Sequence, residues 1–265
     1  MMSLSSALHP DDLRRSLRTG GLDIAYQGQW DLASTGDDDP RNARPVAVEA
    51  LARWSHPEFG EVPPDVFIPL AEEGGFLETL DTDVLQRAVR QVATWRAAGH
   101  DLALSVNAAP THMSVAYADA VIRCAEGAGL EPPALTIEIV ETPSPQFSSA
   151  MGEALSRLDR AGITVSVDDF GVGGTALHTL EGLPIREVKL DRSLVQRVDV
   201  QADRIIGQVI DAADRHGWRV VAEGIETVDD LNRSTRRRCH RGQGFLWGRA
   251  IPAADFEQLL ARSGA

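Results

Sequence analysis

What most restricts the fold of this chain is a rhythm of short apolar segments, each of strand length, most of them separated by stretches with helical spacing. Eight can be read: "LDIAYQGQW" (22–30), "VAVEALARW" (46–54), "LALSVNA" (102–108), "LTIEIVE" (135–141), "ITVSVDDF" (163–170), "EVKLD" (187–191), "RVVAEG" (219–224) and "QGFLWG" (243–248). Between them, "LDTDVLQRAVRQVATWRAAGH" places Val84, Leu85, Ala88, Val89, Val92 and Trp95 on one helical face after a cap at Asp81 or Thr82, with Gly99 as stop signal. "ADRIIGQVIDAADRHGW" repeats the pattern and stops at Gly217. Strands that alternate with helices pair in parallel, and eight of them close into a (β/α)8 TIM-like barrel of the α/β class. The first link departs from this. "DLASTGDDDPRNARP" (31–45) is too short and too rich in Asp, Gly and Pro for a crossover helix, so strands one and two form a hairpin and the first strand runs antiparallel. The 265 residues and 43% hydrophobic content suit one such barrel, and no linker or internal repeat divides it.

Polar side chains interrupt these strands near their ends: Gln27, Glu49, Asn107, Glu138, Asp168 with Asp169, Lys189 with Asp191, Glu223 and Gln243. In a barrel of this class the C-terminal strand ends meet at one mouth, where active sites lie. A buried Glu or Asn in a Val- and Ile-rich strand is tolerated when it is paired or coordinates a metal. Oxygen donors without thiolate or imidazole partners select a hard cation, Mg²⁺ or Mn²⁺. Two cations would also explain why Asp168 and Asp169 stand side by side, each reaching its own metal with Asp168 bridging; the plain alternative is one solvated turn residue and one helix cap. Metals so paired clamp a phosphoryl oxygen and activate water for in-line attack on a phosphodiester. Lys189 and Asp191 then hold the water, and Arg53 contacts phosphate. Taken singly, Lys189 and Asp191 also read as a surface pair and Arg53 as a snorkelling side chain.

The formal net charge of −13 argues against binding duplex nucleic acid through a basic surface. Cys124 and Cys239 form no metal-binding or disulfide pattern, and neither a signal peptide nor a run of about 18 apolar residues occurs, so a soluble cytoplasmic protein without membrane contact is expected. The run "TRRRCHR" (235–241) reads as a solvated helix face rather than a nucleic-acid patch.

In order, "VEALARWSHPEFGEVPPDVFIPLAEEGG" (48–75), "SVNA" (105–108), "LTIEIVE" (135–141), "VDDFGVGG" (167–174), "VKLDRSLV" (188–195), "VVAEGIE" (220–226) and "QGFLWG" (243–248) resemble the EAL-domain family of bacterial cyclic di-GMP phosphodiesterases. The likeness runs from about residue 11 to 260 and implies a single domain over residues 1–265. It further implies a barrel with an antiparallel first strand, a Mg²⁺ or Mn²⁺ pair inhibited by Ca²⁺, and opening of cyclic di-GMP to linear pGpG. Carried onto this sequence, it makes Glu49, Asn107, Glu138 and Asp168 ligands of one metal and Asp168, Asp169 and Glu223 those of the second. Glu223 is also the implied general base, with Lys189 and Asp191 positioning the water. Gln27 and Arg53 contact the dinucleotide, Gln243 steadies the last strand end, Glu226 is an acid supporting the substrate side, and Glu141 anchors the loop after the DDF motif.

That loop departs from the family pattern. It reads Val172, Gly173, Gly174, Thr175, Ala176 where the family has a threonine, a glycine, an aromatic and two serines. Because the family's loop links substrate, metal and homodimer contacts, the change points to slow or partner-dependent turnover. The rival reading is an EAL-like receptor that holds cyclic di-GMP without cutting it; against it, every metal-ligand position of the family motif is filled here.

Overall fold

The computed structural model describes residues 7–34, 39–140, 149–172 and 176–262. Helix α1 (Pro10–Thr19) leads into strand β1 (Leu22–Asp31), and β2 (Ala47–His56) returns alongside it before the short β3 (Gly60–Val62). Helices α2 (Pro64–Glu73) and α3 (Leu77–Ala97) precede β4 (Ala103–Asn107). Then α4 (Val115–Ala128), β5 (Leu135–Val140), α5 (Ser149–Arg160), β6 (Thr164–Phe170), α6 (Leu177–Leu180) and β7 (Glu187–Leu190) follow in alternation. The chain ends with α7 (Arg192–Val195), α8 (Val200–His216), β8 (Arg219–Ala222), α9 (Val228–Arg236), β9 (Arg241–Gly242), β10 (Ile251–Pro252) and α10 (Ala253–Arg262).

Eight strands form a closed ring in the order β1, β2, β4, β5, β6, β7, β8, β9 and back to β1, with β3 and β10 added outside it. All neighbours from β2 round to β9 pair in parallel, whereas β1 is antiparallel to both β2 and β9. The barrel with a reversed first strand is therefore as the hairpin argument requires. The outward strand residues, such as Val106, Ile137, Val165, Val188 and Val220, are buried under the helices' apolar stripes, among them Leu85, Val89, Val121, Leu155 and Ile210. Each such side chain contributes about 1.5–3 kcal/mol of transfer free energy, which fixes the helical layer and frees the strands' inward faces for polar groups.

Three expectations need correction. The closing strand is Arg241–Gly242, not residues 243–248, which form a bend and a turn. The reason is close approach: a Cβ on Gly244 would stand 2.1 Å from the carbonyl oxygen of Ile225, so the backbone there is pressed onto the neighbouring loop rather than laid along a strand. Helix α3 begins at Leu77 because Leu77 and Leu80 are buried, which places Asp81 inside the first turns rather than at the cap. In the basic run only Thr235 and Arg236 are helical. Arg237 clasps the carbonyls of Val195 and Arg197 and the carboxylate of Asp203, so this segment is a structural fastening instead of a free charged face.

Candidate active site

Glu49 sits mid-strand on β2, in register with Gln27 on β1. Its carboxylate is held from two sides: Asn107 Nδ2 donates to Oε1 at 2.9 Å, and Gln243 Nε2 donates to Oε2 at 2.7 Å. Gln243 also donates to Gln27 Oε1 at 3.1 Å, and Gln27 Nε2 donates to the Gly248 carbonyl at 3.2 Å. The turn that replaces the expected eighth strand is thus tied to the mouth through these two amides.

Adjacent residues in a regular strand point to opposite faces, so Asp168 and Asp169 should not share a site. The strand solves this with a bulge. Pairing of β6 with β7 slips between Val167 and Phe170, and Asp169 has φ of 57°, a left-handed conformation uncommon outside glycine. Both carboxylates consequently reach the same mouth, and Asp168 Oδ1 accepts the Asp169 amide at 3.0 Å. Glu223 joins them from the end of β8, its amide bonded to the Leu190 carbonyl at 3.1 Å.

Two groups of oxygen donors result. Glu49, Glu138 and Asp168 can each offer an atom within 4.8 Å of the others, as can Asp168, Asp169 and Glu223. Asp168 is the corner they share. Lys189 rises between them, fully buried, with Nζ at 3.3 Å from Glu49, 3.1 Å from Glu138, 3.0 Å from Asp168 and 2.8 Å from Glu223.

Charge dominates the chemistry of this centre. Burial, together with the neighbouring acids, pushes Glu138 well above the ordinary carboxyl range and raises Asp168 against the pull of Lys189. Asp169 is lifted to about 6 by burial and by Asp168 and Asp191, and Glu223 to about 8 by burial and by Asp168 and Glu49, against Lys189. Glu49 alone is lowered: its burial is outweighed by Lys189 and by the hydrogen bonds from Gln243 and Asn107. For Lys189 the surrounding carboxylates outweigh burial and hold its pKa well above the ordinary value. Fully ionised, the five acids leave four negative charges beyond the single charge of Lys189, a balance that two divalent cations restore. Glu138 Oε1 has no hydrogen-bond partner among the described residues although it is buried, as befits an oxygen reserved for a cation. The donors are all oxygens, so the residues fit a hard cation.

On one side of the centre a cleft of about 490 Å³ is walled by Phe67, Ile68, Leu80 and Val84 and bordered by Arg53. Arg53 donates to the Ala52 carbonyl at 2.9 Å and lies 3.8 Å from Glu61, which leaves part of its guanidinium facing the cleft edge. On the other side a smaller recess of about 190 Å³ is lined by Gln27, Glu223, Glu226, Gln243, Arg192 and Phe245. Glu226 there pairs with Arg192 at 3.0 Å. Asp191 does not touch the Lys189 ammonium; it caps α7 by accepting the Ser193 amide at 2.8 Å, with its charge felt by Asp169. Glu141 lies outside the described residues, as do Gly173, Gly174 and Thr175 of the altered loop, of which Val172 is exposed.

The structure therefore brings Glu49, Asn107, Glu138, Asp168, Asp169, Lys189, Glu223, Gln27 and Gln243 to one mouth, with Arg53 and Glu226 on its two flanks. Arg192, not singled out in the sequence although it directly follows the KLD strand end, joins the smaller recess through its pairing with Glu226.

A (β/α)8 barrel with one reversed strand and a paired acidic centre at its mouth defines a barrel class whose mouth carries oxygen donors able to hold metal ions. Residues 11–250 match the model of the EAL domain, and the chain belongs to that family. It is 33% identical over 265 residues to cyclic di-GMP phosphodiesterase PA2567 of Pseudomonas aeruginosa, covering 99% of this chain and 42% of that protein. The bifunctional diguanylate cyclase/cyclic di-GMP phosphodiesterase MucR of the same organism is 35% identical over 254 residues, covering 94% of this chain and 36% of MucR. The chain thus spans well under half the length of these relatives. Among solved structures, that of the PaMucR phosphodiesterase in complex with c-di-GMP superposes with a TM-score of 0.83 at 32% identity, covering 93% of this chain and 98% of that one. The EAL enzyme Bd1971 in a form bound to cAMP and cyclic di-GMP shares the fold, with a TM-score of 0.84 at 22% identity over 95% of this chain and 68% of that one.

Proposed function

We propose that this chain hydrolyses cyclic di-GMP to linear pGpG with the help of two Mg²⁺ or Mn²⁺ ions. The observation that carries the reading is the pair of donor groups meeting at Asp168. The relatives' names and the nucleotide complex of the similar MucR domain support the substrate. Glu49, Asn107, Glu138 and Asp168 would hold one cation, and Asp168, Asp169 and Glu223 the other. When bound, such a pair neutralises the phosphodiester and acidifies a water molecule.

The chain's own residues do the rest. Arg53 binds the dinucleotide at the edge of the larger cleft, and Gln27 does so from β1. Glu223, whose carboxyl is raised to about 8 in the cation-free protein and would lose that proton to a bound cation, serves as the general base. Lys189 holds its proton and offers it as a fixed donor to the attacking oxygen, while Asp191 sets the approach of α7 beside it. Gln243 keeps Glu49 aimed at the centre, and Glu141 serves the loop after Phe170. Among the described residues no helix is long and apolar enough to cross a membrane. A cytoplasmic setting, and a homodimer formed through the loop after Phe170, belong to the same proposal.

Chromatography of cyclic di-GMP incubated with purified protein tests it. Formation of pGpG is expected with Mg²⁺ or Mn²⁺ and suppression with Ca²⁺, whose longer bonds and higher coordination number spread a two-metal geometry. Tight binding without product under every cation would replace the enzyme by a receptor.

A further inference from the structure

Asp81 is a buried acid with no capping role, and it reaches out of α3 toward the strand end that carries Asn107. Its Oδ2 accepts the backbone amide of Ala109 at 2.9 Å and stands 2.9 Å from His112 Nε2. The preceding amide, that of Ala108, donates to the Glu138 carbonyl at 2.8 Å. Two consecutive amides directly after Asn107 are thus anchored to two different elements, β5 and α3. Asn107 in turn spends its Nδ2 on Glu49, which leaves Oδ1 as the ligand atom. A loose peptide after Asn107 would let that side chain, and Glu49 with it, swing away from the cation.

We propose that Asp81 is a positioning residue for the first cation site, acting through the Ala109 amide on Asn107 and Glu49. The inference rests on the proposed role of those two residues as ligands. A charge placed in a buried position only to favour the N-terminal half of α3 would be poorly used, because an exposed acid does that at lower desolvation cost. Asp83, half-exposed on the same helix and paired with Arg87 at 3.3 Å, is a more solvated acid and serves as the control.

The test is calorimetric titration of the full chain with Mn²⁺ alone, with no nucleotide present. Asp81→Ala is expected to weaken Mn²⁺ binding roughly 10- to 100-fold, the range found when the groups that orient metal ligands are removed. Asp81→Asn, whose amide oxygen still accepts the Ala109 N–H, is expected to recover most of that loss, and Asp83→Ala to leave binding unchanged. Ala109→Pro reaches the same bond from its donor side, at a residue whose φ of −69° a proline ring accepts, and decides the matter if Asp81→Ala does not fold. Folded Asp81→Ala or Ala109→Pro protein with wild-type Mn²⁺ affinity would overturn the inference. Wild-type protein that binds no Mn²⁺ would instead overturn the two-cation reading on which it stands.

Discussion

Glu223 and Asp168 make different contributions to one centre, and single substitutions separate them. Glu223→Gln keeps the shape and one ligand oxygen but removes the proton acceptor. Cyclic di-GMP binding should survive while turnover falls roughly 10²-fold or more, read by calorimetry beside product chromatography. Asp168→Ala removes the corner common to both donor groups. Its Mn²⁺ stoichiometry should drop below that of Asn107→Ala, which leaves the second group of acids intact; equal stoichiometries would mean that Asp168 does not bridge. The identities of these residues were legible in the sequence because a Glu or Asp in a Val-rich strand has no apolar reason to be there. The hub was not. Nothing in the spacing of "VKLD" says that Lys189 Nζ stands within 3.3 Å of four carboxylates, three on other strands and one just past the end of β8, because that meeting is made by barrel closure.

Among the elements, strands with regular alternation announced themselves, and those set by tertiary contact did not. "ITVSV" reads as a strand from its period, but the bulge that turns Asp169 toward the mouth depends on how β6 meets β7. "QGFLWG" has strand composition, yet its backbone is bent by contact with Ile225. The loop after β8 shows the same dependence and gives a sharp test. Gly224 has φ of 66°, and a Cβ there would lie 2.5 Å from the Cβ of Arg192. Gln196 Nε2 binds its carbonyl at 2.8 Å, so the loop cannot easily slide away. Gly224→Ala should cost about 3 kcal/mol from the left-handed backbone and the overpacking together, measured by urea unfolding. It should also lower turnover, since Glu223 precedes it. A variant as stable as the parent would show that the loop relaxes freely.

Over the whole molecule, the acidic centre couples folding to pH and to cations. Unfolded, Asp169 and Glu223 titrate near about 3.9 and 4.3; folded and cation-free, they titrate near about 6 and 8. The native state therefore binds protons more tightly than the unfolded chain between these values, and its stability falls as pH rises from about 4 to about 8. Bound cations displace those protons, so saturating Mg²⁺ should flatten or reverse the slope. Urea midpoints at three pH values across that window, with and without Mg²⁺, check this; a cation-free protein that gains stability toward pH 8 would contradict it.

The reversed first strand also decides where the chain enters the barrel. Leu22 lies beside Trp54, at the mouth end of β2, and α1 is fastened there by the Trp54 Nε1 bond to Ser16 Oγ at 2.8 Å and by Arg14 to the Gly74 carbonyl at 2.6 Å. In a barrel whose strands are all parallel, the polypeptide arrives at the opposite, structural end. Here anything joined ahead of Pro10 is delivered to the rim of the catalytic face, so a push or twist from an upstream neighbour has no barrel wall to cross before it meets the chemistry.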